Sequence, residues 1–171
     1  DTGSGQCPPE ILYINQNWLS ALNLEMPQTV DAWLDTLRAF RDGDPNGNGV
    51  ADEIALSTRN GSGDLKLLQP LTGFMSDGNN LFLNGDTVEY TPFKAEYKDW
   101  VKLCKLLYGE KLLDQELFTL TNSQIIAKGS TETQMYGGVI SSAAFAVVGE
   151  ANAPAFAPTP VFTAANGQQM W

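Results

Sequence analysis

From Asp44 to Glu53 the chain reads Asp-Pro-Asn-Gly-Asn-Gly-Val-Ala-Asp-Glu. Proline and two glycines in so short a run exclude a regular helix or strand, so the chain must bend here. Its oxygens alternate. With Asp44 at position one, Asn46 and Asn48 fall at three and five, Gly49 at six, the Val50 carbonyl at seven and Asp52 at nine. A hard divalent cation of calcium's size takes about six to eight oxygens at about 2.3–2.6 Å, and alternate side chains turned inward around a glycine supply them. An EF-hand would close the sphere with a glutamate at position twelve, but Ala55 stands there, leaving Glu53 as the closing carboxylate. The expected ligands of Ca²⁺ are therefore Asp44, Asn46, Asn48, Val50, Asp52 and Glu53. A calcium-rich compartment outside the cytoplasm follows as an expectation.

Around this loop the pattern is α/β. Ile11–Ile14 reads as a strand, and Asn17 as the cap of a short helix carrying Trp18, Leu19 and Leu22 on one face. Thr29 caps a second helix in which Val30, Trp33, Leu34, Leu37 and Phe40 recur at helical spacing. Ile54–Leu56 is a strand, and Asp64–Met75 an apolar helix interrupted by Pro70. Leu81–Leu83 and Thr87–Tyr90 flank Asn84-Gly85-Asp86 as a hairpin. Tyr97, Trp100, Val101, Cys104, Leu107 and Tyr108 stripe a further helix, which points Cys104 inward. A helix including Ser123–Lys128 and a strand from Gln134 to Ile140, running into Ser141–Val148, complete the expected core. At 171 residues the chain suits one domain. Residues 1–10 read as a linker, because a Gly/Ser coil leads into Pro8-Pro9, and residues 151–171 as an extended Ala/Pro-rich tail.

Composition narrows the function. The formal charge of −10 repels phosphate backbones, so nucleic acid is not an expected partner. The chain has no histidine, which removes the usual general base and every Ser-His-Asp or Cys-His arrangement. Cys7 and Cys104 are too far apart for a CxxC motif, leaving a disulfide or two free thiols. No apolar run of membrane-spanning length occurs.

Leu12-Tyr-Ile-Asn-Gln-Asn-Trp-Leu19, Leu22-Asn-Leu24, Pro27-Gln-Thr-Val30 and the loop from Asp44 to Ile54 together resemble the extracellular solute-binding proteins (family 1) of ABC importers. The likeness is greatest to carbohydrate-binding lipoproteins of Gram-positive bacteria and to alginate-oligosaccharide binding proteins, in which a loop of this pattern holds calcium. Asp77-Gly78, the hairpin, the helix around Trp100, Leu112-Leu-Asp114 and the strand at Met135 resemble their second lobe. The resemblance implies one lobe of a type II periplasmic-binding-protein-like fold, spanning residues 1–171 as an excised C-terminal lobe. It also implies a missing N-terminal lobe, a carbohydrate ligand, ABC permease subunits as partners and a cell-surface lipoprotein or periplasmic location, without catalysis. By the same resemblance Phe74, Ser141, Ser142 and Phe145 line the solute cleft. Two rivals remain: a secreted carbohydrate-binding or adhesion module with a structural calcium, and a glycosidase, which needs two carboxyls about 5–9.5 Å apart across a cleft.

Overall fold

In the computed structural model, which describes residues 11–77 and 79–162, strand β1 (Ile11–Asn15) lies at the heart of a four-stranded sheet. Strands β2 (Ser57–Thr58), β5 (Gly138–Ser141) and β6 (Phe156–Pro158) complete it in the order β2-β5-β1-β6. β1 pairs antiparallel with β5 (Leu12 opposite Ile140) and with β6 (Ile14 opposite Ala157), whereas β2 runs parallel to β5. Single parallel bridges join Ile54 to Tyr136 and Leu56 to Leu113. The expected strand Ile54–Leu56 is thus two bridges leading into β2. The strand expected from Gln134 shortens to Gly138–Ser141, because Gln134 sits at φ 50°, outside extended backbone.

The period-two alternation of the strands puts apolar side chains on both faces of the sheet. Leu12, Ile14 and Ile140 pack with Trp18, Trp33, Leu37, Phe40, Leu68 and Leu107 in one core. Tyr13, Val139 and Tyr136 pack with Ile125, Val147 and Val148 in the other. Helices α1 (Gln16–Ala21), α2 (Val30–Asp42) and α3 (Ala95–Gly109) contribute to the first core. Helices α4 (Asn122–Gly129) and α5 (Phe145–Asn152) contribute to the second.

The expected caps hold at α2, where Thr29 Oγ1 accepts from Ala32 N at 3.1 Å. At α1 the cap moves from the expected Asn17 to Asn15, whose Oδ1 accepts from Asn17 N at 3.0 Å and Trp18 N at 3.3 Å. Asn15 is fully buried, and its amide also donates to the Tyr136 carbonyl, so it joins strand, helix and sheet where the sequence shows only a polar triplet. The apolar helix expected at Asp64–Met75 is a 3-10 helix over Gly61–Thr72, since Pro70 withholds an N–H donor and Gly61 enters at φ 64°. The hairpin forms as read, β3 (Leu81–Asn84) against β4 (Thr87–Tyr90) with Gly85 at φ 60°. Ser141 ends β5 and a helix starts at Phe145, so the stretch to Val148 is not one strand. The Cys104 thiol is free and partly buried against the first core, its pKa raised by desolvation to about 11. Cys7, the linker-like start and residues 163–171 of the tail lie outside the described residues; within the described part of the tail only Phe156–Pro158 is strand.

Candidate functional site

Three segments run parallel in register: Leu113 beside Leu56, and β2 beside β5. The residues that follow them are Asp114, Arg59 and Ser142. Ligands of open α/β sheets bind at such carboxyl ends, where connecting loops diverge. Asp114 N donates to the Leu56 carbonyl at 2.9 Å, and Arg59 N to the Ile140 carbonyl at 3.1 Å, which fixes both side chains at this edge.

Arg59 Nη1 then donates to Ser142 Oγ at 3.3 Å. Arg38 and Arg41 each hold a carboxylate, but Arg59 has no carboxylate partner among the described residues. Beside it, Asn60 donates through N and Nδ2 to Asp64, at 2.7 and 3.0 Å, and Asn122 Nδ2 donates to Asn60 Oδ1 at 3.3 Å. Below them Asp114 is buried, its carboxylate reached by Lys128 Nζ at 3.4 Å; Lys128 also binds Glu116 at 2.7 Å, which lowers the Glu116 pKa. The edge therefore offers a guanidinium, two amides and a hydroxyl on a braced base, the groups that read sugar hydroxyls.

Of the residues expected to line a cleft, Ser142 and Phe145 lie at this edge. Phe145, 57% exposed, presents its ring to solvent. Ser141 is wholly buried and its Oγ accepts from Ala143 N at 3.4 Å, so it shapes the turn into α5. Phe74 is buried too, its ring 6.0 Å from that of Tyr97, and offers no free face. Arg59, Asn60 and Asn122 were not singled out from sequence; the one signal was the Arg59-Asn60 pair directly after the two-residue strand Ser57–Thr58.

The Asp44–Glu53 loop precedes Ile54 and so lies at the opposite, amino end of this strand run. Gly47 and Gly49 bend it at φ 71° and 74°. Asp44 accepts from Asn48 N and Gly49 N, both at 3.0 Å. Asn46 and Asn48 donate their amides to Asp52 at 3.1–3.2 Å. Both oxygens of Glu53 are shielded from solvent, with no hydrogen-bond partner among the described residues. Desolvation, with Asp52 and Asp44 adding charge repulsion, raises the Glu53 pKa.

Among the described residues no three carboxylate, thiol or imidazole groups already stand grouped as metal ligands. The donor set nevertheless suits a cation. Glu53 is a carboxylate lacking the positive partner that its covering demands, and an amide that donates to Asp52 presents its oxygen instead after a half-turn.

No protein-family model matches the chain. The fructooligosaccharide ABC transporter substrate-binding protein FusA of Streptococcus pneumoniae serotype 4 is 40% identical over 123 residues, 70% of this chain and 23% of FusA. The structure of S. pneumoniae FusA in complex with kestose superposes with a TM-score of 0.84 at 34% identity, over 99% of this chain and 35% of that one. A FusA EF-hand mutant in complex with fructo-nystose gives 0.83 at 32%, over the same shares. Lipoprotein LipO of Bacillus subtilis is 28% identical over 116 residues, 66% of this chain and 23% of LipO. Alginate-binding protein AlgQ2, solved without calcium ion, shares the fold at a TM-score of 0.74 and 21% identity, over 95% of this chain and 34% of that one. With sequence, α/β topology and these superpositions agreeing, the chain belongs to the substrate-binding proteins of ABC transporters, spanning 23% of the curated FusA and 35% of its solved chain.

Proposed function

We propose that the chain is the solute-reading part of an oligosaccharide-binding component of an ABC importer, working outside the cytoplasm beside its permease and a second lobe. Arg59, Asn60, Asn122 and Ser142 bind saccharide hydroxyls, and the exposed ring of Phe145 packs on a sugar face. The observation that carries this reading is an arginine with no carboxylate partner among the described residues, donating to Ser142 at the carboxyl ends of parallel strands. FusA, the relative bound to kestose, supports a fructo-oligosaccharide as the ligand to try first. Ca²⁺, held by Asp44, Asn46, Asn48, the Val50 carbonyl, Asp52 and Glu53, supplies charge neutralisation and fixes the loop at the far end of the sheet. An all-β carbohydrate-binding module finds no support in a helix-covered mixed sheet.

Titration of the chain with kestose, followed by calorimetry, tests the assignment. Arg59→Ala is expected to weaken binding about tenfold or more, by removal of a charge-assisted hydrogen bond, with unchanged melting. Kestose binding that is indifferent to both Arg59→Ala and Phe145→Ala places the solute elsewhere and overturns the reading.

A further inference from the structure

Asn46, Asn48, Asn60, Asn84 and Asn166 are each followed by glycine. Glycine has no side chain to hinder its nitrogen from swinging onto the amide carbon of a preceding asparagine, the first step of deamidation. Among the four described pairs, Asn48-Gly49 has every group that this step needs already in place. The Gly49 N–H, whose nitrogen attacks, donates to Asp44 Oδ2 at 3.0 Å. Asn48 Oδ1, on which charge develops, accepts from Val50 N at 2.6 Å. Asn48 Nδ2, the leaving amine, donates to both oxygens of Asp52, at 3.1 and 3.2 Å. Asn48 and Gly49 are exposed, and nothing stands within 4 Å of where a Cβ on Gly49 would lie, so the backbone has room to turn and water has access.

The other pairs lack part of this arrangement. Asn46 also gives its amide to Asp52, at 3.2 Å, but the Gly47 N–H donates to the Asp44 peptide carbonyl in place of a carboxylate. Asn60 Oδ1 accepts from Asn122, and the following Gly61 is buried, with the Leu117 carbonyl oxygen 3.1 Å from where its Cβ would stand. Asn84 is held in the hairpin register opposite Thr87 and gives its amide to Glu89.

We propose that Asn48 is a self-modifying site, at which the folded loop promotes its own deamidation with water as the only co-reactant. The Gly49 nitrogen bonds to Asn48 Cγ and the Cγ–Nδ2 bond breaks. The proton lost from the Gly49 nitrogen leaves with the amine as ammonia, and a five-membered succinimide remains. Water then opens the ring. Attack at Cγ gives an aspartyl residue, and attack at the main-chain carbonyl gives an isoaspartyl residue, whose side-chain carbon enters the backbone. The fold contributes by holding the reacting groups together, by the Asp44 carboxylate polarising the Gly49 N–H, and by the Val50 N–H meeting charge as it grows on Oδ1. Either product sets a further carboxylate beside Asp44 and Asp52, and the isoaspartyl form also lengthens the chain within the loop and spoils its spacing of oxygens. The inference is independent of the proposed calcium and sugar contacts.

The test incubates the chain at neutral pH in chelator, both folded and unfolded in urea. Peptide mass spectrometry, with fragmentation to assign each converted residue, follows Asn46, Asn48, Asn60 and Asn84 over time. Asn48 is expected to convert several-fold faster in the folded chain than in urea, whereas Asn60 and Asn84 convert more slowly when folded. Asp44→Asn, checked for folding by circular dichroism, should slow Asn48 several-fold and leave Asn84 unchanged. Conversion of Asn48 that is no faster in the folded chain than in urea overturns the inference, and this is read on the parent chain whether or not the variant folds. A folded Asp44→Asn variant in which Asn48 converts at the parent rate overturns it as well.

Discussion

Glu53 carries two shielded oxygens without a hydrogen-bond partner among the described residues, next to Asp52 and within the field of Asp44. A covered carboxylate without a counter-charge costs stability, so a cation bound there would link binding to folding. At calcium a hundredfold above its dissociation constant the gain is about 2.7 kcal/mol, which for a chain of this size raises the melting temperature by roughly 5–10 °C. Asp44→Ala combined with Asp52→Ala should erase that increment, read by calorimetric scans in calcium and in chelator. Identical melting of the parent chain under the two conditions would remove calcium from the proposal. The spacing of this loop was legible because a cation imposes it on consecutive residues. Arg59 and Asn60 were not legible, since what distinguishes them is the partner brought from Ser142 and Asn122, 83 and 62 residues away. Gly137 is a similar case: a Cβ there would collide with Phe40 and meet Trp18 Cε3 at 2.8 Å, a constraint that exists only after α1 and α2 have packed on the sheet.

Helix α2 was readable from its apolar stripe and Thr29 cap, because both the periodicity and the cap are local. The 3-10 helix and the short β5 were not, because proline, glycine and a left-handed Gln134 alter the backbone without altering hydrophobicity. Between elements, α2 is clamped to the end of α3 by a forked pair, Arg38 Nε to Glu110 Oε2 at 2.7 Å and Nη2 to Oε1 at 3.0 Å. The Arg38 guanidinium holds the Glu110 carboxyl below its usual pKa. A lowered folded-state pKa contributes stability above the unfolded value, about 4.3 for glutamate, and that contribution disappears as pH falls through the folded one. Glu110→Gln should therefore lower the melting temperature at pH 7 by about 1–3 °C, as an exposed pair allows. The gap to the parent should close as the pH is taken below about 4. A difference that stays constant across this range would show that packing, not the ion pair, is what the substitution disturbs. Arg41 Nη1, which donates to the Glu110 carbonyl at 2.7 Å, is retained in the variant and keeps the helix end in place.

For the molecule as a whole, the sheet sets the two proposed sites apart. The proposed calcium loop lies at the amino end of the Ile54–Thr58 run and the proposed sugar groups at its carboxyl end, so a metal-dependent change in stability need not alter solute contacts. A sugar site on one open edge touches the ligand from one side, whereas small-molecule sites bury about 70–90% of their ligand. Half the contacts must then meet the full loss of the ligand's translational and rotational freedom. The expected outcome is kestose affinity at least about a hundredfold weaker for this chain than for a chimera in which it replaces the matched region of S. pneumoniae FusA, the loss expected if about 3 kcal/mol of contact is missing. Calorimetry of both, with Arg59→Ala in each, distinguishes the possibilities. A half-site predicts weak binding in the chain, tight binding in the chimera and a loss on Arg59→Ala in both. Equal affinity in chain and chimera would mean that this edge is a complete site, and the proposed second lobe would then serve a purpose other than sugar contact.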